Sequence, residues 1–427
     1  MFRRKLSAAH LLFVLSLLIV SSACAFGAPR TCDPHKFGAK GDGATKDTTA
    51  IQAAIDACAA KGGGIVRLTE GTYVSAPIEL KSKITLQLDK GATLLGSPDH
   101  EDYPARTEFH LPDLQPLVGA VNASNVAITG EGTIDGNGDS WWKMARSVRG
   151  AGILGMGHPR PKLIIFDHCK HVLIEGITVQ NSPMWQVVPY YSDDVIIRNI
   201  RVLAPPNSPN TDAIDPFASS NVVIDHVYAD VGDDDVAIKS GPINSPGPDD
   251  PSRDITITDC DFHHGHGLSV GSELAGGAWN IRAERIHFDG TDNGIRIKAN
   301  RDRGNNVGNM VFKDIDMKNV KMALQISEYY PRVIPPDGEG PQPVTRLTPH
   351  FHDITLENVT ATGSTTGAVI VGLPESPVKN VVLKNVKISA QHGMTVAYAD
   401  VSGEGVVITA AEGEAITKLA GANVSLK

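Results

Sequence analysis

Short apolar alternations recur along the chain from residue 125. Asn125-Val126-Ala127-Ile128 is the first, followed by His171-Val172-Leu173-Ile174 and Asp194-Val195-Ile196-Ile197. Asn221-Val222-Val223-Ile224, Asp254-Ile255-Thr256-Ile257 and Asn280-Ile281-Arg282-Ala283 come next. Asn309-Met310-Val311-Phe312, Asp353-Ile354-Thr355-Leu356 and Asn380-Val381-Val382-Leu383 end the series. Most units open with Asn or Asp, run through a short alternation, pass two polar residues and alternate again. From 171 to 309 the starts are 23, 27, 33, 26 and 29 residues apart. A period of that size marks a repeat architecture. Each unit is strand, turn, strand, turn, with no room for a crossover helix. A parallel β-helix meets these conditions, its coils stacked at the strand spacing of about 4.8 Å. The opening Asn and Asp can then form a side-chain ladder at one turn. A β-sandwich also has many short strands, but sandwiches do not repeat at this period.

The stretch before residue 125 reads differently. Asp47 or Thr48 can cap a helix over about Thr49 to Ala60, with Ile51, Ala54, Ile55 and Cys58 on one face. Gly62-Gly63-Gly64 ends it. Short strands follow at Ile65-Leu68, Thr72-Val74, Ile78-Leu80 and Ile84-Leu88. The expected fold is therefore all-β, one parallel β-helix with a short N-terminal helix cap. Long loops leave the coils at about 136–161 and 328–349, where Gly, Pro, Trp and Tyr cluster.

The repeat places the polar residues. Asp233 lies 12 residues after its unit's start at Asn221, and His266 lies 12 after Asp254. Glycine precedes both. Equal offsets in consecutive coils put two residues one above the other. Asp212 falls about one coil earlier, and Arg296 and Lys298 about one coil later, on one face of a strand. Four successive coils thus stack Asp212, Asp233 and Asp234, His266, and Arg296 with Lys298 into one strip. In a regular strand Asp233 and Asp234 point to opposite sides, so both reach one cleft only if the chain turns at Gly232-Asp233.

The strip sits on Gly232-Asp233-Asp234-Asp235, three adjacent carboxylates. Alone they read equally well as a solvated acidic turn or a calcium loop. Crowded carboxylates repel, so one holds its proton while another stays charged. Glycoside hydrolysis needs that division between an acid and a base. Arg296 and Lys298 supply fixed positive charge, suited to a substrate with its own carboxylate. Lys239, Arg301 and Arg303 can extend the patch. Trp141, Trp142, Tyr329 and Tyr330 are candidate platforms for sugar rings. Taken singly, His266 is a surface or structural histidine and Asp212 a turn cap; their common register favours a site.

Composition adds location and excludes partners. Arg3, Arg4 and Lys5 precede an apolar run, Leu11 to Val20, too short to span a bilayer, and Ala23-Cys24-Ala25 offers a small-x-small cleavage site. Residues 1–25 read as a signal peptide cleaved after Ala25, and 26–427 as a single secreted or periplasmic domain. Cleavage takes three positive charges from the 39 Lys and Arg, leaving 36 against 48 Asp and Glu, a net charge near −12. That is a poor footprint for nucleic acid or a membrane surface. Cys32 can pair with Cys58 in an exported chain, while Cys169 and Cys260 sit inside strand patterns. No Cys and His spacing resembles a metal site, and no cofactor is implied.

At Asn210-Thr211-Asp212, Gly232-Asp233-Asp234, Gly265-His266-Gly267 and Arg296-Ile297-Lys298 the chain resembles glycoside hydrolase family 28, the polygalacturonases, whose four signature motifs these match in order. The resemblance runs from about Phe37 to Asn385. It implies a right-handed parallel β-helix; a monomer is the expected state. The implied reaction is metal-free, inverting hydrolysis of α-1,4 bonds between galacturonic acid units in pectin or polygalacturonate. By motif, Asp233 is the implied general acid, and Asp212 and Asp234 activate water. His266 tunes or orients the acid, while Arg296 and Lys298 hold a substrate carboxylate; Lys239 and Tyr329 are added as substrate contacts. Asp235 departs from the pattern, since many relatives carry Cys or a small residue there. Gly271-Ser272-Glu273, Gly276-Gly277 and the run from Arg296 to Arg303 are more similar to members that trim chain ends, which favours exo action. The rivals are a rhamnogalacturonan or xylogalacturonan hydrolase, a calcium-dependent pectate lyase, and a non-catalytic glycan-binding β-helix.

Overall fold

The computed structural model describes residues 30–108, 111–150, 159–334 and 339–427. The expected cleavage site after Ala25 lies outside the described residues, as do parts of both long loops.

Parallel strands stack coil on coil. One column runs Ser124–Gly130, Lys170–Glu175, Asp193–Arg198, Ser220–Asp225, Ser252–Thr258, Ala278–Asp289 and Asn306–Lys318, each paired in parallel with the next. A second column passes through Ala92–Gly96, Thr133–Asp135, Thr178–Gln180, Arg201–Leu203, Tyr228–Val231 and Asp261–His264. The third contains Val236–Ile238, Leu268–Val270, Asn293–Lys298 and Met322–Ser327. Isolated bridges Val187↔Ile214 and Ile214↔Val236 join it to the earlier coils. The chain is a right-handed parallel β-helix.

Its interior is one continuous apolar core. Val222, Ile224, Ile255, Ile257, Ile281 and Met310 belong to it, and each is buried in register with its neighbour above. Alternation sends every second side chain inward, so each coil contributes the same positions.

The turns explain the repeated Asn and Asp. All nine residues that open the units, from Asn125 to Asn380, have φ between 51° and 58°. Such left-handed positions strain most side chains, while Asn and Asp tolerate them. The ladder is real in part. Asn280 Nδ2 donates to Asp254 at 2.9 Å, and Asn380 Nδ2 donates to Asp353 at 2.5 Å. A second ladder forms at the next corner, where Asn358 donates to Asp314 at 2.7 Å and Asn385 to Asn358 at 2.9 Å.

The helix is Thr48–Ala59, with Ala50, Ile51, Ala54, Ile55 and Cys58 buried in the core of the first coils. Cys58 is disulfide-bonded to Cys32, which ties the helix to the two-residue strand Thr31–Cys32. Cys169 and Cys260 are free and buried.

Candidate active site

The third column makes the site. Ile214, Val236, Leu268 and Ile295 stack inward as core. The next residue in each coil faces out: Asp215, then Ala237, Ser269 and Arg296 in register. Two positions further on, Phe217 aligns with Lys239, and Lys298 with Ser327. Of these outward residues, Phe217, Lys239 and Lys298 line a cleft of about 680 Å³. Met184, Trp185, Asn210, Glu273, Arg303 and Tyr330 line its walls.

The turn required at Gly232-Asp233 is present. The strand Tyr228–Val231 ends, the chain bends, and Val236–Ile238 begins a new strand. A Cβ on Gly232 would lie 2.3 Å from the Ser208 carbonyl oxygen, so only glycine fits. Gly267, at φ 77°, is crowded the same way by the Asn293 carbonyl oxygen. Asp233 and Asp234 therefore both reach the cleft, and so does Asp212. His266 donates its backbone N–H to the Asp233 carbonyl oxygen at 2.8 Å, which fixes the stacking expected from the equal offsets.

Each carboxylate has its own surroundings. Asp234 is buried, with Lys298 Nζ at 2.8 Å, Ser269 Oγ at 2.8 Å and the Arg296 guanidinium against its first oxygen. Burial raises its pKa, but Arg296 and Lys298 overcome that and hold it far below the carboxylate range. Asp233 pairs with His266 Nδ1 at 2.8 Å. Burial pushes Asp233 up, the His266 hydrogen bond pulls it further down, and the net shift is downward. For His266, burial acts against its charge, Asp233 outweighs it, and the net shift is upward. Both shifts favour the proton on the imidazole side of this pair. Asp212 goes the other way. Burial and the Asp233 charge raise it to about 7, although Lys239 lies 3.4 Å away.

Lys239 is a buried counter-ion, also 3.6 Å from Glu273 and 4.8 Å above the Trp185 ring. Burial disfavours its charge, but Asp215 and Glu273 hold its pKa well above the ordinary value.

Asp233, Asp234 and His266 bring candidate ligand atoms within 4.8 Å of one another. A calcium ion would want six to eight oxygens there. Both Asp234 oxygens already face cations, and a third cation would be repelled. The arrangement suits acid and base work rather than a metal.

The structure moves some expected residues away. Tyr329 is buried against Val369, Val371, Leu373 and Ala397, with Arg301 over its ring. Tyr330 lines the cleft instead, 5.3 Å from Lys298 and 5.9 Å from Arg303. Both tyrosines follow the end of the strand Met322–Ser327, where regular alternation stops. Arg301 is spent on Glu375 and Glu339, each at 2.6 Å. Trp141 stacks on His100, and Trp142 donates its indole N–H to the Ser182 carbonyl oxygen at 2.9 Å, so both are packing residues of the helix Asp139–Gly150. Asp235 faces away from the cleft. It is buried and accepts the Gly267 N–H at 3.0 Å, and burial raises its pKa well above the ordinary value.

Asp215, Trp185 and Ser269 escaped the sequence reading. Asp215 is fully buried, and neither carboxylate oxygen has a hydrogen-bond partner among the described residues. Its signal was the spacing from Asp212, with Ile214 fixed inward between them. Trp185 stands one coil before Asp212, since Gln186 N–H donates to the Asp212 carbonyl oxygen at 2.9 Å.

An aspartate paired with histidine and a second pinned by cations, in an open cleft on a parallel β-helix, suit a carbohydrate-cleaving enzyme. The family model described as Glycosyl hydrolases family 28 matches residues 69–405, and the chain belongs to that family. It is 30% identical over 401 residues to an endo-polygalacturonase of Pectobacterium carotovorum subsp. carotovorum, covering 88% of this chain and 94% of that one. A hyperthermoactive exopolygalacturonase from Thermotoga maritima superposes with a TM-score of 0.78 at 30% identity, over 90% of this chain and 93% of the other. A polygalacturonase from Erwinia carotovora ssp. carotovora gives 0.74 at 28% identity, over 88% and 97%. Among the described residues no helix is long and apolar enough to cross a membrane.

Proposed function

We propose that the chain hydrolyses α-1,4 bonds between galacturonic acid units of pectin and acts at chain ends. The carrying observation is the buried Arg296–Asp234–Lys298 group beside the Asp233–His266 pair. Asp233 with His266 holds one proton at the cleft and delivers it to the leaving oxygen. Asp234, held toward its ionised form by Arg296 and Lys298, and Asp212 orient the attacking water. Arg296, Lys298 and Lys239 present positive charge to the carboxylate of a bound sugar, and Trp185 and Tyr330 offer apolar faces to its ring.

End-wise action is supported by the wall on the Trp185 side. The helix Asp139–Gly150 is tied down there by Trp142 and by Arg146, which donates to the Asn207 carbonyl oxygen at 3.3 Å. Residues 1–25 serve as an export signal in this reading, which places the enzyme where pectin is found.

Asp233→Asn should abolish reducing-end release from polygalacturonate while the thermal melt is retained. Near-wild-type release would sink the assignment. Early digestion products separate the two modes: monomer or dimer alone means end-wise action, and a ladder of sizes means internal cutting. Parallel assays on rhamnogalacturonan and xylogalacturonan test the polymer.

A further inference from the structure

Arg160 is a buried cation, 6% exposed, on the segment that precedes the strand Ile164–Asp167. The Leu163 N–H donates to the Trp185 carbonyl oxygen at 3.1 Å, and the Gln186 N–H to that of Asp212 at 2.9 Å. Arg160 therefore starts one coil before Trp185 and two before Asp212. Its guanidinium reaches across both. One nitrogen donates to the carbonyl oxygens of Pro183 at 2.8 Å and Pro209 at 2.9 Å, and another donates to Asn210 Oδ1 at 2.7 Å. Asn210 sits at φ 57°, two residues before Asp212, and lines the catalytic cleft. The backbone around it is held by other bonds. Ser208 N–H donates to the Pro205 carbonyl oxygen at 2.9 Å, Gly232 N–H to Thr211 Oγ1 at 3.1 Å, and Ala213 N–H to the Asp234 carbonyl oxygen at 2.9 Å. What Arg160 adds is the setting of one side-chain amide.

We propose that Arg160 is a positioning residue, which holds Asn210 with its two amide N–H donors toward the cleft, where they bind an oxygen of the substrate sugar. The proposal rests on the polygalacturonase reading above. A guanidinium carries donors only, so the Asn210 atom that meets it must be the oxygen. The amide cannot turn over, and its Nδ2 points away from Arg160. That Nδ2 makes no hydrogen bond to a described residue. The neighbours show why the setting matters. Asp212, Asp233 and Asp234 crowd the same cleft with acceptor oxygens. A sugar oxygen that must accept a hydrogen bond there needs a donor, and an amide turned the other way would offer it one more acceptor. Lysine cannot copy the arrangement, since an ammonium lacks the planar fork that meets three oxygens at once.

The test measures KM, kcat and thermal melts with galacturonate trimer as substrate. Asn210→Asp keeps an oxygen for Arg160 and loses both donors. Its melt should match or exceed that of the wild type, while KM rises about tenfold and kcat changes less than KM. Arg160→Lys frees the amide to turn. It should raise KM by a similar factor in the otherwise wild-type enzyme and no further in an Asn210→Ala background. A purely structural Arg160 would lower the melt and act equally in both backgrounds. That result overturns the proposal, and so does an Asn210→Asp enzyme with wild-type KM; either leaves the enzyme assignment standing. If Arg160→Lys does not fold, Asn210→Asp decides alone. A wild type that releases nothing from any galacturonate oligomer overturns the polygalacturonase reading as well.

Discussion

The molecule carries two kinds of stacked polar column. At the turns, Asp254, Asn280 and their counterparts repeat nearly the same residue in each coil. They are exposed, and each side chain meets its neighbour's need for a hydrogen bond. On the outward column beside the cleft the residue changes at every coil, from Asp215 through Ser269 to Arg296 and Gln325. These are buried, opposite charges are crowded together, and Asp212 and Asp215 keep oxygens without a hydrogen-bond partner among the described residues. A polar column that repeats itself holds the backbone. One that varies, and leaves buried groups under strain, is kept for what it does to a ligand.

The contrast can be broken by substitution. The largest effect should come from His266→Ala, which removes the proton partner of Asp233. A loss of about 10² to 10³ in kcat is expected, measured as reducing-end release. Next comes Asp215→Asn. Burial and the Asp212 charge push Asp215 well above the ordinary carboxyl value. Its folded pKa therefore exceeds its unfolded one, and stability falls as pH rises between the two. The amide should abolish that slope and raise Tm near neutral pH, while kcat/KM drops about tenfold through the Lys239 and Asp212 it faces. A variant that is both less stable and fully active would place Asp215 with the turn ladders.

A smaller effect is a shift rather than a loss. Lys239 holds Asp212 down against burial and the Asp233 charge. Lys239→Gln should move Asp212 above about 7, so the acid limb of kcat/KM shifts to higher pH. A shift to lower pH would contradict the role given to Asp212. The smallest effect belongs to the ladder. Asn280→Ala should lower stability by about 1 kcal/mol and leave kcat/KM unchanged, read by denaturant titration and assay on one sample.

Most of the fold was legible because the repeat is long and its turn residues are chemically marked. The opening Asn and Asp announced left-handed corners, and the alternations between them announced an inward face. The strip of Asp212, Asp233, Asp234, His266, Arg296 and Lys298 followed from equal offsets. What failed lay where regular pairing stops. Tyr329 and Tyr330 sit just past the strand Met322–Ser327, and alternation no longer decides which side chain faces the cleft. Asp215 follows a single bridge at Ile214 rather than a strand, so its register was not readable. Trp141 and Trp142 lie on a helix inside a stretch read as loop, and Arg301 found acids far away in sequence.

The disulfide-tied helix at the first coil has a consequence for how these molecules meet one another. Stacked coils present open backbone edges at the ends of the solenoid, and such edges invite another chain to continue the sheet. Head-to-tail growth needs a free edge at both ends of every subunit. The helix Thr48–Ala59, clamped by Cys32–Cys58, covers the apolar end of the first coils beside the short strands Thr31–Cys32 and Asp42–Lys46. Blocking one end is enough to stop a filament, since each added copy would have nowhere to seat the next. A fold built like a fibril in miniature thus carries a stopper at its first coil, and reduction of that single bond is the step that would loosen it.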